Sequence, residues 1–207
     1  MIEVKNLTVR FGQTEVLHSV CCEFPSGQIT GLMGRNGSGK TVLLKAICGL
    51  AVPAQGEVLI DGKALTQENA HTFSMGALIE TPGFLREYSG AKNLRFLASL
   101  TGDDPDARVR AAMETVGLDW RSKKRTGTYS LGMRQRLGLT QAMLEDPDIL
   151  ILDEPMNGLD HEAIAALRSL LRRLAEGGKT VVLASHYQED LQTLCHRVYR
   201  MDAGRLI

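Results

Sequence analysis

Gly34-Arg35-Asn36-Gly37-Ser38-Gly39-Lys40-Thr41 has the spacing G-x-x-x-x-G-K-[ST], that of a loop whose backbone N–H groups wrap around nucleotide phosphates. Gly34, Gly37 and Gly39 let the backbone turn tightly and approach the phosphate oxygens. Lys40 can set its ammonium between the β and γ phosphates, and the Thr41 hydroxyl is a natural Mg²⁺ ligand. The flanks supply the context the motif requires. Gln28 to Met33 (QITGLM) reads as a short buried strand leading in, and Lys40 to Leu50 (KTVLLKAICGL) as an amphipathic helix leading out. That helix turns its amino end, where the dipole favours negative charge, toward the phosphates.

A second signal is Asp148 to Pro155, DILILDEP. Ile149 to Leu152 is the unbroken apolar run expected of a central parallel strand covered on both faces. It ends in two carboxylates, Asp153 and Glu154, at the sheet edge where α/β folds bind ligands. Asp153 is placed to hold Mg²⁺ and Glu154 to polarise the attacking water as general base. Thr180 to Ala184 (TVVLA) reads as another buried strand, delivering Ser185 and His186 to the same edge, with His186 aimed at the γ phosphate. Ser74 to Ile79 (SMGALI) delivers Glu80 from a strand expected to neighbour the phosphate loop, which makes Glu80 a candidate Mg²⁺ or water contact.

The first strands, Ile2 to Phe11 and Val16 to Phe24, turn at Gly12 and Gln13, and Glu57 to Asp61 adds a third ending at Gly62, so the early chain is rich in antiparallel β structure. Phe11 closes the first strand, where its ring could stack on a base. From Ala91 the pattern becomes helical. Ala91, Leu94, Leu97 and Leu100 share one expected face, and Val109, Met113 and Val116 another, separated by the turn TGDDPD in which Asp104 precedes Pro105. Ser130 reads as the N-cap of a helix, so Ser130 and the amide of Gly132 sit at a positive helix end suited to an anion. After Asp160 comes a helix with Ile164, Leu167, Leu170, Leu171 and Leu174 in one stripe, ended by Gly177 and Gly178.

Composition narrows the partners. Among 207 residues, 24 Lys plus Arg balance 24 Asp plus Glu, so no overall charge draws the chain to nucleic acid or anionic lipid. The run Lys123, Lys124, Arg125 lacks interleaved aromatics and reads as a solvated face. No apolar stretch nears the roughly 20 residues that cross a bilayer, and Met1 leads directly into a strand pattern without a secretory signal. Cys21, Cys22, Cys48 and Cys195 show no C-x-x-C spacing and are expected to be buried, reduced thiols.

In this order the motifs resemble those of the ATP-binding subunit of ABC transporters, over the whole chain. The resemblance implies an α/β P-loop NTPase core with an N-terminal antiparallel β subdomain, about 1–84 and 146–207, and a helical subdomain, about 85–145, inserted in it. Phe11 looks like the adenine-stacking aromatic, with Val16 beside the nucleotide, and GRNGSGKT like the phosphate loop. YSLGMRQ at 129–135 looks like the family signature, NGLD at 157–160 (ending in Asp160) like the loop linking two subunits, and His186 like the switch histidine. The cofactors implied are ATP and Mg²⁺. The partners are a second ATPase subunit across the nucleotide and an integral membrane permease, with the chain held on the cytoplasmic face of the membrane.

Two departures mark this chain. The signature is usually LSGGQ, and here Leu131 and Met133 replace a glycine and the glutamine, while Ser130 and Gly132 remain. Where the family normally carries a glutamine, this chain has Glu80. ETPGF together with YSLGMRQR is similar to the subgroup that exports, or confers immunity to, peptide antibiotics such as bacitracin and lantibiotics. The competing readings are a soluble ABC-type ATPase without a permease and a small-molecule kinase. The first usually carries tandem cassettes or a long coiled-coil insertion, and the second lacks DILILDEP and the signature.

Overall fold

The structure is a computed structural model that describes residues 1–101 and 104–207. Residues 102 and 103, within the expected TGDDPD turn, lie outside the described residues. β1 (Ile2–Phe11), β2 (Thr14–Phe24), β4 (Gln55–Ile60) and β5 (Lys63–Ala64) form an antiparallel sheet in the order β2-β1-β4-β5. β3 (Ile29–Met33), β6 (Met75–Leu78), β7 (Ile149–Asp153), β8 (Thr180–Ser185), β9 (Arg197–Asp202) and β10 (Arg205–Leu206) form a second sheet, β10-β9-β3-β8-β7-β6, parallel except for β10.

The pleat of the parallel sheet sorts its side chains to two cores. Ile149, Ile151, Val182 and Ala184 face α1 (Lys40–Ile47) and the antiparallel sheet, where Leu43, Leu44, Ile2, Leu7 and Phe24 are fully enclosed. The alternate residues Leu150, Leu152, Val181 and Leu183 face α5 (His161–Glu176) and α6 (Gln188–Leu194). Both faces are therefore covered, as the unbroken apolar runs required. The stripe of α5 holds at Leu167, Leu170 and Leu171, so Leu171→Ala would cost about 2–5 kcal/mol.

Between β6 and β7 the chain forms α2 (Gly90–Ala98), α3 (Pro105–Thr115) and α4 (Leu131–Met143). Asp104 caps α3 by accepting from the Ala107 amide at 3.1 Å, with Pro105 in the first turn. These helices share a small core of Ala91, Leu94, Ala98, Val109, Met113 and Leu137, whereas Leu139 and Ala142 of α4 pack on the parallel sheet. The expected stripe of α2 is corrected here. Leu97 is exposed and Leu100, beyond the helix end, is 80% exposed. Steps of three fall short of a helical turn and drift by about 60° each, so Leu100 ends up opposite Ala91. The first helix is also shorter than expected, stopping at Ile47 with Gly49 at φ +72°.

Candidate functional site

α1 begins at Lys40 with Gly39 at its N-cap, and no side chain caps it. The amides of its first turn, which have no partner inside the helix, are free to receive an anion. Gly39 takes φ +104°, and a Cβ there would lie 2.9 Å from Leu17. A Cβ on Gly34 would lie 2.5 Å from the Met201 carbonyl. Close neighbours thus leave no room for a side chain at Gly34 and Gly39, whereas Gly37 has open space and is favoured by its φ of +81°.

Lys40 is buried, and its Nζ donates to the carbonyls of Gly34 at 2.7 Å and Arg35 at 3.3 Å, with Glu154 Oε1 3.9 Å away. The Thr41 hydroxyl donates to Asp153 Oδ2 at 2.6 Å. Burial pushes the Asp153 carboxyl above its ordinary range, and Glu154 and Glu80 add to the shift, while the Thr41 bond and Lys40 oppose it. Glu154 follows at φ +49°, its N–H donating to the Ala184 carbonyl at 2.9 Å. His186 Nδ1 lies 2.8 Å from Glu154 Oε1. Lys40 and His186 both address Oε1, so Oε2 has no hydrogen-bond partner among the described residues.

A cavity of about 340 Å³ is lined by Val16, residues 36–42, Asp153 and Glu154. Its donors, a hydroxyl and a buried carboxylate, are the hard oxygen set that suits Mg²⁺, an ion that keeps waters and substrate phosphates as its remaining ligands. His186 lines an adjoining cavity of about 350 Å³ with Met33, Gly34, Arg35 and Asn36. Phe11 stands free at the end of β1, 55% exposed, and not in the core.

Other expected site residues stand apart. Glu80 leaves β6, the edge strand, which the sequence leads one to expect beside the phosphate loop; β6 pairs with β7, the strand of Asp153, and is separated from β3 by β8 and β7. Its carboxylate pairs with Lys45 of α1 at 2.8 Å and is 61% exposed. Ser130 caps α4, accepting from the Met133 amide at 3.2 Å, and lies outside the cavity with Gly132. A Cβ on Gly132 would lie 2.5 Å from the Gly158 carbonyl, so the glycine is also demanded by packing. Both carboxylate oxygens of Asp160 are engaged within the chain, by the Ala163 amide at 2.8 Å and Arg136 at 3.1 Å. Of the cysteines, Cys21 is exposed, contrary to expectation, because alternation along β2 turns it to solvent while Cys22 is buried.

Sequence reading missed Gln135. It is buried on α4, and its amide donates to the Glu154 carbonyl at 3.0 Å. The signal was available, since Gln135, Leu139 and Ala142 fall at i, i+4 and i+7, which makes Gln135 a polar residue on a core stripe.

The family model described as ABC transporter matches residues 17–157. A partial match, residues 127–188, is to a model described as AAA domain, putative AbiEii toxin, Type IV TA system. The chain is 41% identical, over its whole length and 68% of the relative, to a bacitracin transport ATP-binding protein of Enterococcus faecalis. Its fold matches a solved ATP-binding subunit of an ABC transporter with TM-score 0.89 at 28% identity, covering all of this chain and 88% of that one. It also matches a dimeric ATP-binding cassette in a post-hydrolysis state bound to ADP and Pi, with TM-score 0.90 at 23% identity over 96% of that chain.

Proposed function

This chain belongs to the ABC transporter family, and we propose that it is the ATP-hydrolysing subunit that drives an integral membrane permease carrying a peptide antibiotic. The observation that supports the site best is the adjacency of β3, β8 and β7, whose ends bring Lys40 and the Asp153-Glu154 pair around one cavity, with His186 reaching it through its contact to Glu154.

Each side chain has a task there. The α1 amides and Lys40 hold the β and γ phosphates and neutralise the charge that grows during transfer. Glu154 Oε2 accepts the proton of the attacking water, while His186 fixes the other carboxylate oxygen. Thr41 and Asp153 would hold Mg²⁺, which would supply positive charge to offset that of the phosphates. Phe11 and Val16 receive the adenine and the sugar side of ATP. Glu80, paired with Lys45, would have to leave that partner to serve as a further contact to the metal.

Ser130, Gly132 and Asp160 lie outside this cavity, which supports the reading that they complete the site of a second subunit. A dimer with ATP in its interface then closes on binding and opens on hydrolysis. The segment 85–145 is taken as a helical subdomain. Its exposed Leu85, Tyr88 and Phe96 support docking of the permease there, with the chain on the cytoplasmic face of the membrane. The cargo class rests on the bacitracin transport relative. Isolation of the subunit from detergent-solubilised membranes tests the reading. A polytopic membrane protein should accompany it, with ATPase activity stimulated by a peptide antibiotic, whereas recovery with soluble partners alone would contradict it.

A further inference from the structure

We propose that Gln135 is the positioning residue for Glu154, holding the glutamate's backbone in place from the amino-terminal part of α4. Glu154 sits at φ +49°, a left-handed conformation that a non-glycine residue keeps only where its surroundings over-determine it. Its N–H is held by the Ala184 carbonyl, and its carbonyl accepts from the Asn157 amide at 3.2 Å and from Gln135 Nε2 at 3.0 Å. Of these three partners Gln135 alone lies on α4; the others belong to β8 and to the loop that follows β7.

The contact is one of three along a single face of α4. Gly132 meets the Gly158 carbonyl, Gln135 meets the Glu154 carbonyl, and Arg136 pairs with Asp160. The spacing i, i+3, i+4 is that of neighbours on one helical face, and their partners span residues 154–160. Gln135 is the buried member, and a buried amide that met no acceptor would destabilise the site. The helix that starts at Ser130 is thus fastened to the residue before which the strand of Asp153 ends. This inference rests on the reading of Glu154 as general base and of Ser130 as a contact to the partner's nucleotide. Seating α4 on that second nucleotide then bears directly on the Glu154 backbone, so Gln135 acts on turnover and not on ATP affinity.

The test compares steady-state hydrolysis of Mg-ATP and equilibrium ATP binding for the full chain and for Gln135→Met, which keeps the length of the side chain and removes its donor. With Glu154→Gln measured alongside, kcat of Gln135→Met should fall about tenfold while the ATP Kd stays within twofold. A kcat within twofold of the unmodified chain overturns the inference, as does an equal loss of affinity. Should Gln135→Met not fold, Gln135→Glu, of the same shape, is held to the same limits; failure of both to fold makes Gln135 a folding residue and also overturns it. Full turnover by Glu154→Gln would instead remove the reading beneath. If Glu154→Gln is inactive and Gln135→Met fully active, only the present inference falls.

Discussion

His186 Nδ1 meets the same oxygen of Glu154, Oε1, that faces Lys40, at 2.8 Å and 3.9 Å respectively. The imidazole therefore orients the carboxylate and leaves Oε2 without a hydrogen-bond partner among the described residues, as the proposed role of Glu154 as general base requires. Which ring nitrogen carries the proton follows from that contact, because a carboxylate selects the donor form of Nδ1.

His186→Ala should lower kcat about 10- to 100-fold, the range set by one hydrogen bond to a charged group. ATP affinity should change by less than about threefold, since the phosphates keep Lys40 and the α1 amides. Steady-state kinetics and nucleotide titration separate the two; a matching loss of affinity would place His186 in binding.

Asp153 carries a desolvation penalty. Burial raises its folded carboxyl above its ordinary value, so between the unfolded and folded values the native chain binds more protons than the unfolded one. Stability therefore rises as pH falls through that window, and the ionised form is a net cost above it. Asp153→Asn should raise the stability of the nucleotide-free chain at neutral pH by about 1 kcal/mol, about 2–4 °C in Tm, while Mg²⁺-dependent hydrolysis is lost. Thermal unfolding against pH checks the sign: the gain should vanish below the unfolded carboxyl range.

Glu80 separates legible from illegible features. The loops at the ends of β3, β7 and β8 could be read because each joins a local residue pattern to a strand whose apolar run declares it central. That β6 lies at the edge, and that Glu80 meets Lys45 across 35 residues of sequence, depends on strand order, which periodicity does not encode. Leu97 failed for a related reason, as a three-residue spacing fits a helical stripe for only one or two steps. Gln135 announced itself as a polar residue on an apolar stripe, but its partner could be found only in three dimensions.

Glu80→Gln should leave stability within about 1 kcal/mol, since its pair with Lys45 is largely exposed. If the carboxylate reaches the metal's water shell, the Mg²⁺ concentration for half-maximal turnover should shift by about threefold or more. An unchanged Mg²⁺ titration would confine Glu80 to its pair with Lys45.

In the proposed function Glu154, set among Lys40, Asp153 and His186, is the base for hydrolysis of an ATP shared by two copies. Sedimentation of Glu154→Gln with Mg-ATP, alongside its turnover, tests this most directly. Retained ATP, a stable dimer and a kcat lowered by about 100-fold or more are the expected result; a monomer that hydrolyses ATP at the unmodified rate would contradict that role of Glu154.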